Sequence, residues 1–277
     1  MLDSTTKLRK EFLTEISGKI EVRIIPVRVY INNEEFEDSD VLSERITEAI
    51  RNKEKVETSL PSINTVEEIF EELSDKYENV YVLSVSSLLS GTYSLFSTIA
   101  SKYENILVFD SKTVSIQNTY IFERMVSDIL NGKKLQEDDI ISYRDDSLFL
   151  ISVFNLEQLH KSGRIGKLVS IIGQMIHIKP ILTIARTGEV ELVGKGLSKG
   201  KILDMLTEKV EKFIEKHRSE TDGKYVLYAA VGLEEYKEYV YEIAKNYELK
   251  PKFLDIGPAV TVHVGLEGFG ILIGKAW

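Results

Sequence analysis

The apolar run Val80-Tyr81-Val82-Leu83-Ser84-Val85 is followed at once by Ser86-Ser87-Leu88-Leu89-Ser90-Gly91-Thr92-Tyr93-Ser94. A short run of this kind, closed by turn residues, marks a strand buried on both faces, and such strands belong to parallel sheets covered by helices. The flanking sequence agrees. Thr65-x-x-Glu68 offers a capping box, and Val66, Ile69, Phe70, Leu73 and Tyr77 then fall on one helical face. After the hydroxyl-rich turn, the pattern predicts a helix over about 92–103, a strand at 106–109 ending on Asp110, and a helix over 116–130 stopped by Asn131-Gly132. Residues 22–30 read as a further strand, irregular or at an edge because of Pro26. This βαβα rhythm implies a three-layer α/β unit.

The second half reads differently. Strands are predicted at 148–153, 178–184, 189–193, 225–231 and 252–256, with helices near 154–161, 201–217 and 234–247. Arg186-Thr187-Gly188 is a hairpin signal. Residues 260–264 and 269–273 read as a closing hairpin. The expectation is α/β with two domains: residues 1–145 around a parallel sheet, and residues 146–277 around a mixed or antiparallel sheet.

The chain's 277 residues, 43 % of them hydrophobic, can bury a sizeable core. Acidic residues outnumber basic ones by 44 to 35, a balance that argues against general binding to nucleic acid or an anionic membrane. There is no cysteine, so disulfides and thiolate metal sites are excluded. No apolar signal core opens the chain, and no stretch approaches the ~20 apolar residues of a membrane span. These features lead to the expectation of a cytoplasmic protein.

Nucleotide motifs fail. Gly163-Arg164-Ile165-Gly166-Lys167 misses the Walker spacing, since residue 161 is lysine and residue 168 leucine, and Gly194-Lys195-Gly196 lacks the third glycine of the dinucleotide fingerprint. The four histidines, His160, His177, His217 and His263, show no H-x-x-x-H pair, and no G-x-S-x-G surrounds a serine. No cofactor is implied. The turn after residue 85 is the stronger candidate. Ligands bind at the carboxyl ends of parallel strands, and amides at a helix start attract carboxylate or phosphate. Ser90 and Thr92 add hydroxyls, and Gly91 allows close approach; equally, either hydroxyl can simply cap the helix. Thr58-Ser59-Leu60-Pro61-Ser62 offers more hydroxyls beside a stiff turn. Arg164 can grip an anion or be a solvated loop residue, and His263 can serve an acidic ligand or the structure alone.

Taken in order, several segments resemble the DegV-like fatty-acid-binding family over nearly the whole chain. They are Asp3-Ser4-Thr5, Thr58 to Ser62, Ser86 to Tyr93, Asp110 to Ser115, His160-Lys161-Ser162-Gly163-Arg164-Ile165, Ile178 to Leu182, and Gly257-Pro258 with Thr261-Val262-His263-Val264-Gly265. The resemblance implies a carrier, not an enzyme. It would bury one long-chain fatty acid of the palmitate, stearate or oleate class and present it to a fatty-acid kinase for phospholipid synthesis. Carried over, Thr58 and Ser90 would hydrogen-bond the carboxylate, with Ser59 and Gly91 beside them. His263 would complete the network, and Arg164 would lie near the head group or the kinase-docking face. The alternative is a small hydrolase or acyltransferase using Ser90 with His263; a structural or regulatory module is a third reading.

The sequence also departs from the family. Only Met1-Leu2 precede Asp3, so the opening strand is expected to be missing or shortened; without it the first sheet would expose an unpaired edge. Leu60 replaces a common glutamine, residues 196–201 lack the usual arginine, and Leu266-Glu267-Gly268 replaces a closing G-P-G.

Overall fold

The structure is a computed structural model describing residues 1–39, 43–164 and 178–277. Ile165, Gly166, Lys167 and His177, which figure in the motifs above, lie outside the described residues. The strands in chain order are β1 (Leu2–Asp3), β2 (Ile24–Ile25), β3 (Arg28–Ile31), β4 (Glu34–Glu37), β5 (Val56–Ser59), β6 (Val80–Ser84), β7 (Ile106–Asp110), β8 (Ser147–Val153), β9 (Lys179–Ile184), β10 (Val190–Gly196), β11 (Tyr225–Val231), β12 (Pro251–Leu254) and β13 (Gly268–Lys275). The helices are α1 (Lys10–Ile16), α2 (Ser43–Arg51), α3 (Ile63–Lys76), α4 (Thr92–Ala100), α5 (Ile116–Leu130), α6 (Glu137–Asp145), α7 (Glu157–Lys161), α8 (Lys199–Thr221), α9 (Lys237–Lys245) and α10 (Pro258–Val264).

The first sheet, β2-β1-β6-β7, is parallel throughout. β6 is buried on both faces as its composition predicts: Val80 and Val82 pack with Phe70 and Phe96, and Leu83 packs with Phe109 and Ile121. Helices therefore cover both sides. The second sheet has six strands in the order β10-β9-β8-β13-β11-β12, antiparallel except for the β11–β12 pair. One face carries Leu150, Phe269 and Ile271 against Leu206 and Val240. On the other, Phe149 and Leu272 pack on Ile116 and Tyr120 of α5. The α/β class, with a parallel sheet and a mixed sheet, is as expected.

Four local expectations are corrected or refined. The segment over 22–30 is not one strand. It divides at Pro26 into β2, in the parallel sheet, and β3, the centre of a third antiparallel sheet β4-β3-β5. The opening strand is shortened, one of the two expected outcomes, and not missing: β1 is paired with β2 on one side and β6 on the other, so no edge is left open there. The α3 cap is Ser62, whose hydroxyl accepts from the Thr65 amide, rather than Thr65 with Glu68.

The fourth correction bears on the site. Residues 260–264 are not half of a hairpin but lie in α10. β-branched residues favour a strand locally, yet Gly257 at φ +77° admits the turn and Pro258 starts the helix without losing a bonded N–H. Buried Ala259 and Val262 then pack against Val29 and Ile46, so tertiary burial overrides local propensity.

The β9–β10 hairpin is tied across to the first sheet. The Ser86 hydroxyl donates to the Gly188 carbonyl at 2.7 Å, and the Arg144 guanidinium to the Arg186 carbonyl at 2.8 Å. Gly188 has φ +101°, and a Cβ there would stand 2.3 Å from Ser86 Oγ, so only glycine fits the tip.

Candidate functional site

Thr58 and Ser59 end β5, and Pro61 then turns the chain into α3. Ser90 and Gly91 lie in the turn between β6 and α4. Arg164 follows α7, and His263 sits near the end of α10. These six residues come from four separate parts of the chain, and all line one cavity of about 300 Å³. Its remaining wall is largely apolar, with Val85, Val114, Ile151, Leu182, Ile184 and Val260 among it. Thr58, Ser59, Arg164 and His263 also line a polar outer groove with Lys53, Lys55 and Lys161. The hydroxyl-rich end of the cavity therefore adjoins a groove of mixed charge, in which Glu54 and Glu57 stand among the lysines and Lys55 pairs with Glu57 at 2.7 Å.

Thr58 Oγ1 and His263 Nε2 are 2.7 Å apart, while the buried Nδ1 of His263 has no partner among the described residues. The ring has two neutral arrangements. If Nε2 accepts from Thr58, then Nδ1–H is an unused donor; if Nε2–H donates to Thr58, the threonine O–H is unused. Either way the pair keeps one donor for an incoming acceptor. Ser90 Oγ lies 2.8 Å from Thr92 Oγ1 and accepts from the Thr92 amide at 3.3 Å, so it closes the turn that leads into α4, whose N-cap position is Gly91. Where Thr92 is the donor of the hydroxyl pair, the Ser90 O–H is left to donate to a ligand. The first amides of α4 have no intrahelical acceptors, which favours an anion beside them. Asp38 fixes α10 opposite this turn, accepting from the Ala259 amide at 2.7 Å and from Lys7 at 2.9 Å.

Burial, with Arg164 adding like-charge repulsion, holds the His263 pKa down to about 4. The imidazole is therefore neutral near pH 7. A folded-state pKa below the unfolded value means that the unfolded chain binds the proton first. Stability contributed by this group is full above about pH 6.5 and is lost as pH falls from there through about 4. Urea midpoints of ligand-free protein should fall across that window, and the fall should be smaller in His263→Gln. Parallel profiles for the two proteins would contradict the assignment.

Ser90 does not meet His263. The histidine's hydrogen-bond partner is Thr58, and among the described residues no carboxylate bonds Nδ1, so the arrangement they form is not a Ser-His-acid relay. Among the described residues, no group of three or more His, Asp or Glu could hold a metal ion, and no helix is long and apolar enough to cross a membrane. Sequence reasoning missed Thr5 as a wall residue, although Asp3-Ser4-Thr5 was a visible motif. Thr5 Oγ1 donates to Asp3 at 2.5 Å. Asp3 also accepts from the Val85 amide at 2.6 Å, and burial raises its pKa.

The family model for DegV, described as an uncharacterised protein family, matches residues 1–276. The chain belongs to the DegV family. Among relatives, a DegV domain-containing protein of Staphylococcus aureus is 29 % identical over 282 aligned positions, covering 99 % of this chain and 97 % of its own. A DegV domain-containing protein of Clostridium acetobutylicum is 27 % identical over 280 positions, covering 99 % and 97 %. Solved DegV structures share the fold. A Thermus thermophilus DegV-family protein described by its fatty-acid binding superposes with TM-score 0.87 at 21 % identity, over 99 % of this chain and 98 % of that one. DegV of Bacillus subtilis, described as a fatty acid binding protein, gives 0.83 at 22 % over 99 % and 98 %. A stearic-acid-binding protein of Eubacterium ventriosum gives 0.82 at 22 % over 99 % and 97 %. In this DegV chain Leu60 packs over the cap of α4: a Cβ on Gly91 would lie 3.3 Å from Leu60 Cδ2.

Proposed function

We propose that this DegV-family protein binds one long-chain fatty acid of the palmitate, stearate or oleate class. The tail lies in the apolar cavity, and the carboxylate accepts hydrogen bonds from Thr58, Ser90 and the free donor of the His263 pair. Ser59 and Gly91 flank the head group, and Arg164 faces it from the outer groove. The observation that carries this reading is a cavity of about 300 Å³ with apolar walls and a cluster of hydroxyls and one neutral imidazole at one end. That size lies at the lower limit of small-ligand pockets, which run from about 300 to 1,000 Å³. Three solved neighbours described as binding fatty acids support the same ligand class.

The energetics are consistent with it. About 14 methylenes at roughly 0.8 kcal/mol each give on the order of 11 kcal/mol of gross transfer energy. Association and ordering costs remove several kcal/mol of that. A buried carboxylate without partners would cost several more. Hydroxyls satisfy it without a fixed opposite charge, and a head group held that way stays open to a second enzyme. The reading therefore includes presentation of the carboxylate to a fatty-acid kinase across the outer groove, the protein itself acting as a carrier. A division into units at 1–145 and 146–277 belongs to the same proposal, supported by a six-stranded sheet that begins at Ser147.

Titration of delipidated protein with palmitate and oleate tests the binding step. One-to-one, saturable binding is expected. Absence of binding at millimolar ligand, with the fold intact by circular dichroism, would overturn the reading.

A further inference from the structure

Beneath α10 the main cavity adjoins a second one of about 50 Å³. Val114, Ile151, Val153, Val260 and Val264 line both. The floor of the smaller cavity is the six-stranded sheet. There Gly270 pairs with Ile151 on one side and Ala230 on the other, and Gly268 pairs with Val153. A larger side chain at Gly270 would enter the space: a Cβ there would stand 3.3 Å from Phe149 Cε2 and 3.8 Å from Ile116 Cδ1. The lining offers little to water. Of its two serines, Ser152 already donates to the Pro180 carbonyl at 3.2 Å, and a water needs two to four polar partners to settle. An apolar void gives its walls no dispersion partner, so an alkyl group is its natural occupant.

We propose that this annex receives the methyl end of the bound acyl chain and sets the upper limit of chain length. The inference rests on the fatty-acid reading above. Chains that end before the partition leave the annex empty, and longer chains fill it. Each additional buried methylene is worth about fourfold in affinity, so the annex separates stearate from shorter acids.

The test is a binding series from laurate through myristate and palmitate to stearate, on wild type, Gly270→Val and Val153→Ala. Gly270→Val fills the annex and should weaken stearate by about tenfold while leaving laurate within about twofold. Val153→Ala thins the partition and should shift preference the other way. Where Gly270→Val does not fold, Val153→Ala decides. Length profiles parallel to wild type in the folded variants would overturn the annex while leaving fatty-acid binding intact. Failure of wild type to bind any acid in the series would overturn both.

Discussion

The double variant Thr58→Ala/Ser90→Ala should lose fatty-acid affinity by about 30- to 1,000-fold. Hydrogen bonds to a charged group contribute about 1.5–3 kcal/mol each. Helix amides can recover part of two such losses, leaving about 2–4 kcal/mol, which gives that range. Stability should fall by about 2 kcal/mol, no more than the lower end of that range. Both residues are half-buried. The lost Ser90–Thr92 turn contacts cost about 1 kcal/mol, and the lost Thr58–His263 contact a similar amount. Together these lower the melting temperature by about 4–8 °C for a chain of this size. Calorimetric titration of delipidated protein, beside a thermal scan, separates the two effects. Unchanged affinity in a folded double variant would remove these hydroxyls from the site.

The second large effect is on stability. Glu123 of α5 is fully buried, and its carboxylate accepts from Arg9 Nε at 2.7 Å, from Arg9 Nη2 at 2.8 Å and from the Tyr228 hydroxyl at 2.5 Å. One carboxylate thereby joins the segment before α1, helix α5 and strand β11. The bond to Glu123 raises the Arg9 pKa, and burial raises that of Tyr228. Glu123→Ala would leave a guanidinium and a phenol facing each other without an acceptor. Breaking a buried pair from one side costs about 3–5 kcal/mol. Arg9 is 17 % exposed and can partly rehydrate, so the lower end applies, about 3 kcal/mol. At 2–4 °C per kcal/mol, the melting temperature should fall by about 6–12 °C. Arg9→Met/Glu123→Leu should recover most of that loss, because the charge is removed with its partner. A Glu123→Ala midpoint close to wild type would contradict the role given to this carboxylate.

Where local pattern and tertiary environment agree, the sequence was legible. The run at 80–85 is β6, the helix over 116–130 has the predicted ends, and the strand over 225–231 is β11. The α10 segment was misread because Val260-Thr261-Val262-His263-Val264 mimics a strand; Gly257-Pro258 held the opposite signal. Thr58, Ser59, Ser90, Gly91, Arg164 and His263 could be nominated because hydroxyls, glycine, arginine and histidine stand out in turns. The apolar half of the cavity could not. Leu159, Leu182, Ile184 and Val190 look the same in sequence whether they fill a core or line a tunnel, and only the fold brings them to one space. The Arg9–Glu123–Tyr228 cluster was invisible for a related reason: its members are 114 and 105 residues apart.

The account depends on an acyl chain occupying the space between the turn at Ser90 and the sheet face at Ile151. Native mass spectrometry of protein purified from its own cells, followed by lipid extraction, tests this most directly. The account predicts a single bound species with the mass of a long-chain fatty acid, released on denaturation and restored by adding palmitate or oleate to the stripped protein. A bare chain mass from cells, together with no mass shift on adding either acid, would contradict it.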